Sequence, residues 1–235
     1  MGFIGNIKEL FSFGNTLYYP GCLTKFASPN IEDNYIRILN NISLDFIHVP
    51  EFYCCGKPVS NAGYKEDWQN LKDKNAELFK KYGIKKIITN CPSCFHEFGK
   101  YEGITAIHAT QAIAKKLNKI KGNFQKGDIT YKEPCHLGRK SGIYDPPREI
   151  LRHLGFNIVE LDNTREHSLC CGAGGGLKTN NPELSNKIAE KWFKTIKTKK
   201  VVTSCPLCYM QLKENAPSGI KVYELSEVIL NKIKE

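Results

Sequence analysis

The cysteines of this chain fall in an order that is written twice. The first set reads Cys22, Cys54-Cys55-Gly56 and Cys91-Pro92-Ser93-Cys94, and the second reads Cys135, Cys170-Cys171-Gly172 and Cys205-Pro206-Leu207-Cys208. All ten cysteines belong to one set or the other. Matching positions are displaced by 113 to 116 residues (22 to 135, 55 to 171, 91 to 205), which makes the chain a duplicated unit with a boundary expected between Gly122 and Gly127. Self-similarity of this kind fixes the architecture before any single element is read. It predicts one half over 15–124, a second over 125–235, and a short N-terminal segment, 1–14.

Within each half, short β-branched or aromatic runs alternate with longer amphipathic ones, the signature of βαβ units on a parallel sheet. In the first half this predicts strands at Thr16–Tyr19, Leu44–Val49, Lys86–Thr89 and near Thr105–Ile107. Helices are expected from a Ser28-Pro29 cap to about Asn41, over Ala62–Lys81 and over Ala109–Lys119. The second half predicts strands at Ile129–Tyr131, Asn157–Leu161 and Val201–Thr203, helices near Pro147–Leu154 and Pro182–Ile196, and a last strand and helix in KVYELSEVILNKIKE. The expected fold class is α/β: two duplicated Rossmann-like halves with parallel sheets, related by a pseudo-twofold axis. Ligands of such sheets collect beyond the carboxyl ends of the strands. With each cysteine motif placed after a predicted strand, three turns per half are expected to converge on one metal site.

A chain of 235 residues, 41% of them hydrophobic, can build a core without disulfide staples, so the cysteines are read as ligands. Thiolates are the usual ligands of iron–sulfur clusters. Neighbouring cysteines such as Cys54 and Cys55 point in opposite directions along a strand, and both face one cluster only if the backbone turns sharply; Gly56 and Gly172 permit that turn. Each Cys-Pro-x-Cys step, opening a helix, adds two thiolates, free backbone N–H groups and a favourable dipole. The run Gly172-Ala-Gly-Gly-Gly176, with Gly174 at its centre, lets backbone come close to a cluster. It is not a dinucleotide loop, because Leu177 stands where G-x-G-x-x-G needs its third glycine. A zinc-stabilised binding module is the alternative from another class, but zinc sites take four thiolates and these sets have five.

The formal charge of +10 comes from lysines scattered over the polar faces of predicted helices, among them Lys72, Lys74, Lys80 and Lys81, and Lys187, Lys191, Lys194 and Lys197. That is a solvated surface, and no nucleic-acid partner is expected. The N-terminus has no secretory signal, and no stretch approaches the roughly 18 apolar residues of a membrane helix, so the expectation is a cytoplasmic protein. Phe3, Ile4, Ile7, Leu10 and Phe11 could give a short helix one apolar face for packing on its own domain or a partner, and peripheral membrane association is expected only through a partner. Lys57, His136 and Arg139 flank the cysteines and are candidates for binding an anionic substrate or protonating a leaving thiolate, or for tuning a cluster through hydrogen bonds. His96, His108, His153 and His167 are assigned no role.

The twice-written order Cys, Cys-Cys-Gly, Cys-Pro-x-Cys resembles the cysteine-rich CCG-domain family, as do YYPGCLTK, EPCHLGRKSGIYDPPREILR and LCCGAGGG. That family includes the B component of heterodisulfide reductase and the carboxyl-terminal region of its D component, and the iron–sulfur subunits of glycolate oxidase and anaerobic glycerol-3-phosphate dehydrogenase. The resemblance implies two noncubane [4Fe-4S] clusters, one on Cys22, Cys54, Cys55, Cys91 and Cys94 and one on Cys135, Cys170, Cys171, Cys205 and Cys208. It also implies an oxidoreductase subunit that reduces a small disulfide or similar acceptor, or else an electron-transfer subunit of a flavin-dependent 2-hydroxy-acid or glycerol-3-phosphate dehydrogenase. The sequence has no Cys-x-x-Cys-x-x-Cys-x-x-x-Cys-Pro run and no flavin or nicotinamide signature. Electrons are therefore expected from a separate ferredoxin-like iron–sulfur subunit, a flavoprotein subunit, or both.

Overall fold

The computed structural model describes residues 14–122, 124 and 126–233. The apolar N-terminal helix expected around Phe3–Phe11 lies outside them, as do two positions of the expected boundary, Asn123 and Gln125. The first half runs β1 (Asn15–Tyr19), α1 (Cys22–Ala27), α2 (Pro29–Asn41), α3 (Lys57–Asn61), α4 (Lys65–Lys81), β2 (Ile84–Thr89), α5 (Pro92–Phe98), β3 (Thr105–His108) and α6 (Ala109–Ala114). The second runs β4 (Gly127–Lys132), α7 (Asp145–His153), β5 (Phe156–Ile158), α8 (Leu177–Asn180), α9 (Pro182–Phe193), β6 (Lys200–Thr203), α10 (Pro206–Glu214), β7 (Lys221–Glu224) and α11 (Leu225–Ile233). The strands pair in parallel throughout, in the orders β1-β2-β3 and β5-β4-β6-β7.

The local reasons are legible in the residues. Pro29 opens α2, whose Ile31, Tyr35, Ile38 and Leu39 form one buried face; Ser28 stands at the N-cap without a side-chain capping bond. In α9, Pro182 takes the first turn and the Asn181 side chain accepts a hydrogen bond from the Leu184 N–H. Some expected elements need correction. The helix expected over Ala109–Lys119 ends at Ala114, with a separate 3-10 turn at Leu117–Lys119. The strand at Leu44–Val49 shrinks to a single bridge, Leu17 to Ile47, held by Ile47 N–H to Thr16 O (2.8 Å) and Tyr18 N–H to Ile47 O (3.3 Å). The helix expected from Ala62 begins at Lys65, because Gly63 takes φ +91° and separates it from α3.

The halves interleave. Helix α6 of the first packs on α7 of the second, and α2 of the first on α11 of the second, as a pseudo-twofold arrangement requires. One core runs through both, joining Tyr18, Tyr35, Ile38 and Ile113 to Tyr131, Ile150, Leu151 and Ile229. A hydrogen bond of 2.8 Å from the Tyr35 hydroxyl to the buried Glu224 carboxylate crosses between them.

This topology places the cysteines. From β4 the chain turns outward to β5, whereas β6 leads the other way to β7, so a crevice opens at the carboxyl ends of the adjacent strands β4 and β6. Cys135 follows β4 and Cys205 follows β6, just as Cys22 follows β1 and Cys91 follows its neighbour β2. The two Cys-Cys-Gly turns do not leave strand ends directly, contrary to expectation. Cys170 is reached through the long loop 159–169, and Cys54 through the segment 48–53 beyond the bridge.

Candidate metal centre

In each half three turns bring five thiols together. Side-chain contacts link the first set in the order Cys22, Cys54, Cys55, Cys94, Cys91, and the second in the identical order Cys135, Cys170, Cys171, Cys208, Cys205. All ten cysteines are free thiols. Cys55, Cys94, Cys171, Cys205 and Cys208 are buried and the other five half-buried. Each set is a chain of contacts, and no three His, Cys, Asp or Glu side chains among the described residues close about a single metal ion.

Glycines make the approach possible. Gly21 takes φ +82°, and a Cβ there would lie 3.1 Å from the Cys91 Cβ and 3.3 Å from the Cys94 sulfur, so only glycine lets the Cys22 turn close on the Cys91 turn. Gly56 (φ +82°) and Gly172 (φ +89°) make the sharp turns after the paired cysteines, and their N–H groups each reach 3.4 Å to the Cys54 and Cys170 sulfurs. A Cβ on Gly172 would stand 2.6 Å from the Ser185 carbonyl oxygen, whereas one on Gly174 would meet nothing within 4 Å. Cys91 and Cys205 are the N-caps of α5 and α10, where unpaired N–H groups favour negative charge.

The electrostatics follow. Cys54 is pushed down to about 3 by its contact with Cys22, then by that with Cys55, and the Gly56 N–H adds to this. Cys170 is pushed down in the same way by Cys135, Cys171 and the Gly172 N–H. Their partners Cys22 and Cys135 are pushed up, chiefly by the same contact and then by burial. Each half thus stores negative charge on the first cysteine of its Cys-Cys pair, which is what a cationic metal core neutralises.

The structure gives the three flanking candidates different surroundings. Lys57 lies 3.9 Å from the carboxylate of Glu97, a fully buried residue of α5 that also accepts from Trp68 Nε1 (2.9 Å) and pairs with Lys100 (2.9 Å). His136 has its Nδ1 3.5 Å from the Cys135 sulfur. Its imidazole is pushed down by burial, then by the charges of His96 and Lys57 from the other half and of Lys140 from its own. His96 is likewise pushed down by burial, then by Lys100, Lys57 and Lys140. Lys57, His96, His136 and Lys140 therefore gather where the halves meet, and His96 and Lys140 were missed in the sequence. Arg139 stands apart, its Nη1 donating to the Ser168 and Glu166 carbonyls and so pinning the loop that leads to Cys170.

The turns are held differently in the two halves. In the first, Tyr19 stacks on Phe52 (4.9 Å between centroids, 17° between planes) and meets Phe98 edge-on at 4.7 Å. In the second, the fully buried Arg148 bonds Glu133 (2.7 Å) and, through two nitrogens, Glu160 (2.6 and 2.9 Å), and Thr164 and the Arg165 N–H close the network. Glu133 precedes Cys135 by two residues, so this network sets the second turn as the aromatic stack sets the first.

The cysteine-rich domain model of the CCG family matches twice, over residues 16–99 and 129–213. The chain belongs to the CCG cysteine-rich domain family. Among its relatives, the D component of the dihydromethanophenazine:CoB–CoM heterodisulfide reductase of Methanosarcina acetivorans is 30% identical, over 92% of this chain and 58% of its own length. The EtfAB:quinone oxidoreductase of Syntrophomonas wolfei is 31% identical over 91% of this chain and 34% of its own length. The B component of the CoM/CoB fumarate reductase of Methanothermobacter marburgensis is 26% identical over 90% of this chain and 45% of its own length. The chain thus spans between a third and three fifths of the length of these relatives. None of its described helices is long and apolar enough to cross a membrane.

Proposed function

We propose that this CCG protein is an iron–sulfur oxidoreductase subunit holding two [4Fe-4S] clusters of the noncubane, five-thiolate kind, which together reduce a disulfide or similar acceptor. The observation that carries the reading is the repeated thiol chain: two sets of five cysteines in one order of contact, each with a thiolate already favoured at Cys54 or Cys170. Cys22, Cys54, Cys55, Cys91 and Cys94 would hold one cluster, and Cys135, Cys170, Cys171, Cys205 and Cys208 the other. The chemistry such clusters supply is one-electron transfer, and a pair of them matches the two electrons that opening a disulfide requires. The protein's own residues do the rest. Gly56 and Gly172 direct N–H groups at sulfur, and α5 and α10 direct their N-termini at each set. Lys57 and Lys140 make the junction between the halves attractive to an acceptor carrying negative charge, with the imidazoles of His96 and His136 beside them as hydrogen-bonding groups. Electrons would come from a ferredoxin-like iron–sulfur subunit or a flavoprotein.

A second reading, a relay between a flavoprotein and a quinone, is favoured by the name of the Syntrophomonas relative, which describes a quinone oxidoreductase. Anaerobic purification with iron, sulfide and zinc analysis, followed by electron paramagnetic resonance of oxidised and thiol-treated protein, separates the readings. About eight iron per chain and a signal that responds to thiol is the expected result. About four iron with no thiol response favours the relay, and stoichiometric zinc overturns both.

A further inference from the structure

The two thiol sets share their geometry but not their charge. Aligned on Cys22 and Cys135, the strand ends read Tyr18-Tyr19-Pro20-Gly21 and Tyr131-Lys132-Glu133-Pro134. Tyr18 and Tyr131 do the same work, the first donating to Asn90 Oδ1 (3.0 Å) and the second sharing a hydrogen bond with Ser204 Oγ (2.8 Å), each partner being the residue before a Cys-Pro-x-Cys step. The next position differs. Tyr19 is buried, donates its hydroxyl to the Tyr53 carbonyl (2.7 Å), and has its phenol pushed up by burial and then by Cys94, Cys55, Cys54 and Cys22, so a neutral group stands among the first thiols.

Lys132 takes that place in the second half. It is 1% exposed, its Nζ donates to the Glu133 carbonyl (2.7 Å) and lies 6.0 Å from the Trp192 ring centre. Among the described residues no carboxylate forms an ion pair with it, since Glu133 is engaged by Arg148. A buried ammonium without a counter-ion is expensive. Its charge acts on the second thiol set, favouring the thiolate at Cys170, Cys171 and Cys208. In the first half Lys57, next after Cys54-Cys55-Gly56, already faces the buried Glu97 carboxylate.

We propose that Lys132 gives the cluster of the second half a higher reduction potential than that of the first, so that an electron reaching the protein settles in the second half. The inference rests on the two-cluster reading above. Reduction adds one negative charge to a cluster, and a buried cation beside the second set stabilises that added charge where the Tyr19 phenol beside the first does not. Lys132 is a tuning residue: it touches neither substrate nor, on the contacts present, sulfur.

The test is an anaerobic redox titration of the full chain, wild type against Lys132→Met and Lys132→Gln, followed by electron paramagnetic resonance and visible absorption. The wild type is expected to show two midpoints. In both variants the higher one falls by at least a tenfold change in the ratio of reduced to oxidised cluster, which is about 59 mV for one electron, while the lower one stays in place. Midpoints that do not move, a shift confined to the lower one, or a rise of the higher one overturns the proposal. So does loss of one cluster in both variants, from about eight iron to about four, which would make Lys132 an assembly residue. A wild type with fewer than two clusters sinks the cluster reading itself, a result distinct from two clusters indifferent to residue 132.

Discussion

Glu224 ties the halves together and offers a sharp test of how they are held. It ends β7, is fully buried, accepts from Tyr35 of the other half (2.8 Å) and from the Ser226 N–H (2.7 Å), and is in close contact with the Ser226 hydroxyl. Burial pushes its carboxyl up from 4.5 to about 7; the bonds from Ser226 and Tyr35 oppose that rise, and the neighbouring Glu227 adds to it. The folded chain therefore binds the proton more tightly than the unfolded chain does. The stability this contributes is fully present below about pH 4.5, drains away as the pH climbs to about 7, and changes no further above that. A rise of this size corresponds to about 3 kcal/mol. Glu224→Gln is neutral at every pH and lacks this slope. Melting temperatures of both proteins, purified anaerobically, should be measured from pH 4.5 to 8. At about 2–4 °C per kcal/mol for a chain of this size, the variant should gain roughly 6–12 °C on the wild type across that range. A gap that stays constant with pH would refute the idea that Glu224 is held protonated in the fold.

Three further outcomes follow from the site. Arg148→Met leaves the buried Glu133 carboxylate without its partner and should cost about 3–5 kcal/mol, read as a fall in melting temperature; a change under about 1 kcal/mol would show the network to be dispensable. Gly172→Ala forces a Cβ to within 2.6 Å of the Ser185 carbonyl oxygen at φ +89° and should leave about four iron per chain by displacing the second thiol set. Gly174→Ala adds a Cβ with no protein atom within 4 Å, so it should leave the melting temperature unchanged, and any fall in its iron content would report a cluster lying against the Gly174 backbone.

Much of this was legible in the sequence, for a definite reason. Cysteine spacing fixed the duplication and the membership of each set, and β-branched runs marked six of the seven strands within a residue or two. What the sequence hid was whatever depends on tertiary packing. The run Leu44–Val49 has strand composition, yet only Ile47 pairs, in a single bridge to Leu17. Lys132 ends a strand whose last four residues, from Ile129 onward, are all buried, so no alternation of apolar and polar residues could flag a lysine as inward-facing. Glu97 was within reach of sequence reasoning: it lies one helical turn beyond Cys94, and its counterpart after Cys208 is the uncharged Gln211, so reading the halves against each other exposes a carboxylate with no match.

The same comparison bears on the basic group at the junction. Counted from the matched cysteines, Lys57 corresponds to Ala173, His96 to Met210, His136 to Leu23 and Lys140 to Ala27. Each half contributes two basic residues whose counterparts in the other half are apolar. A group inherited unchanged from one ancestral unit would be present twice, once beside each thiol set. This one is present once, assembled from both halves, with His136 feeling the charges of His96 and Lys57 across the boundary. The scaffold and the thiol sets are therefore properties of the repeated unit, whereas the place where an anionic acceptor would be drawn in is a property of the pair, and neither half could supply it alone.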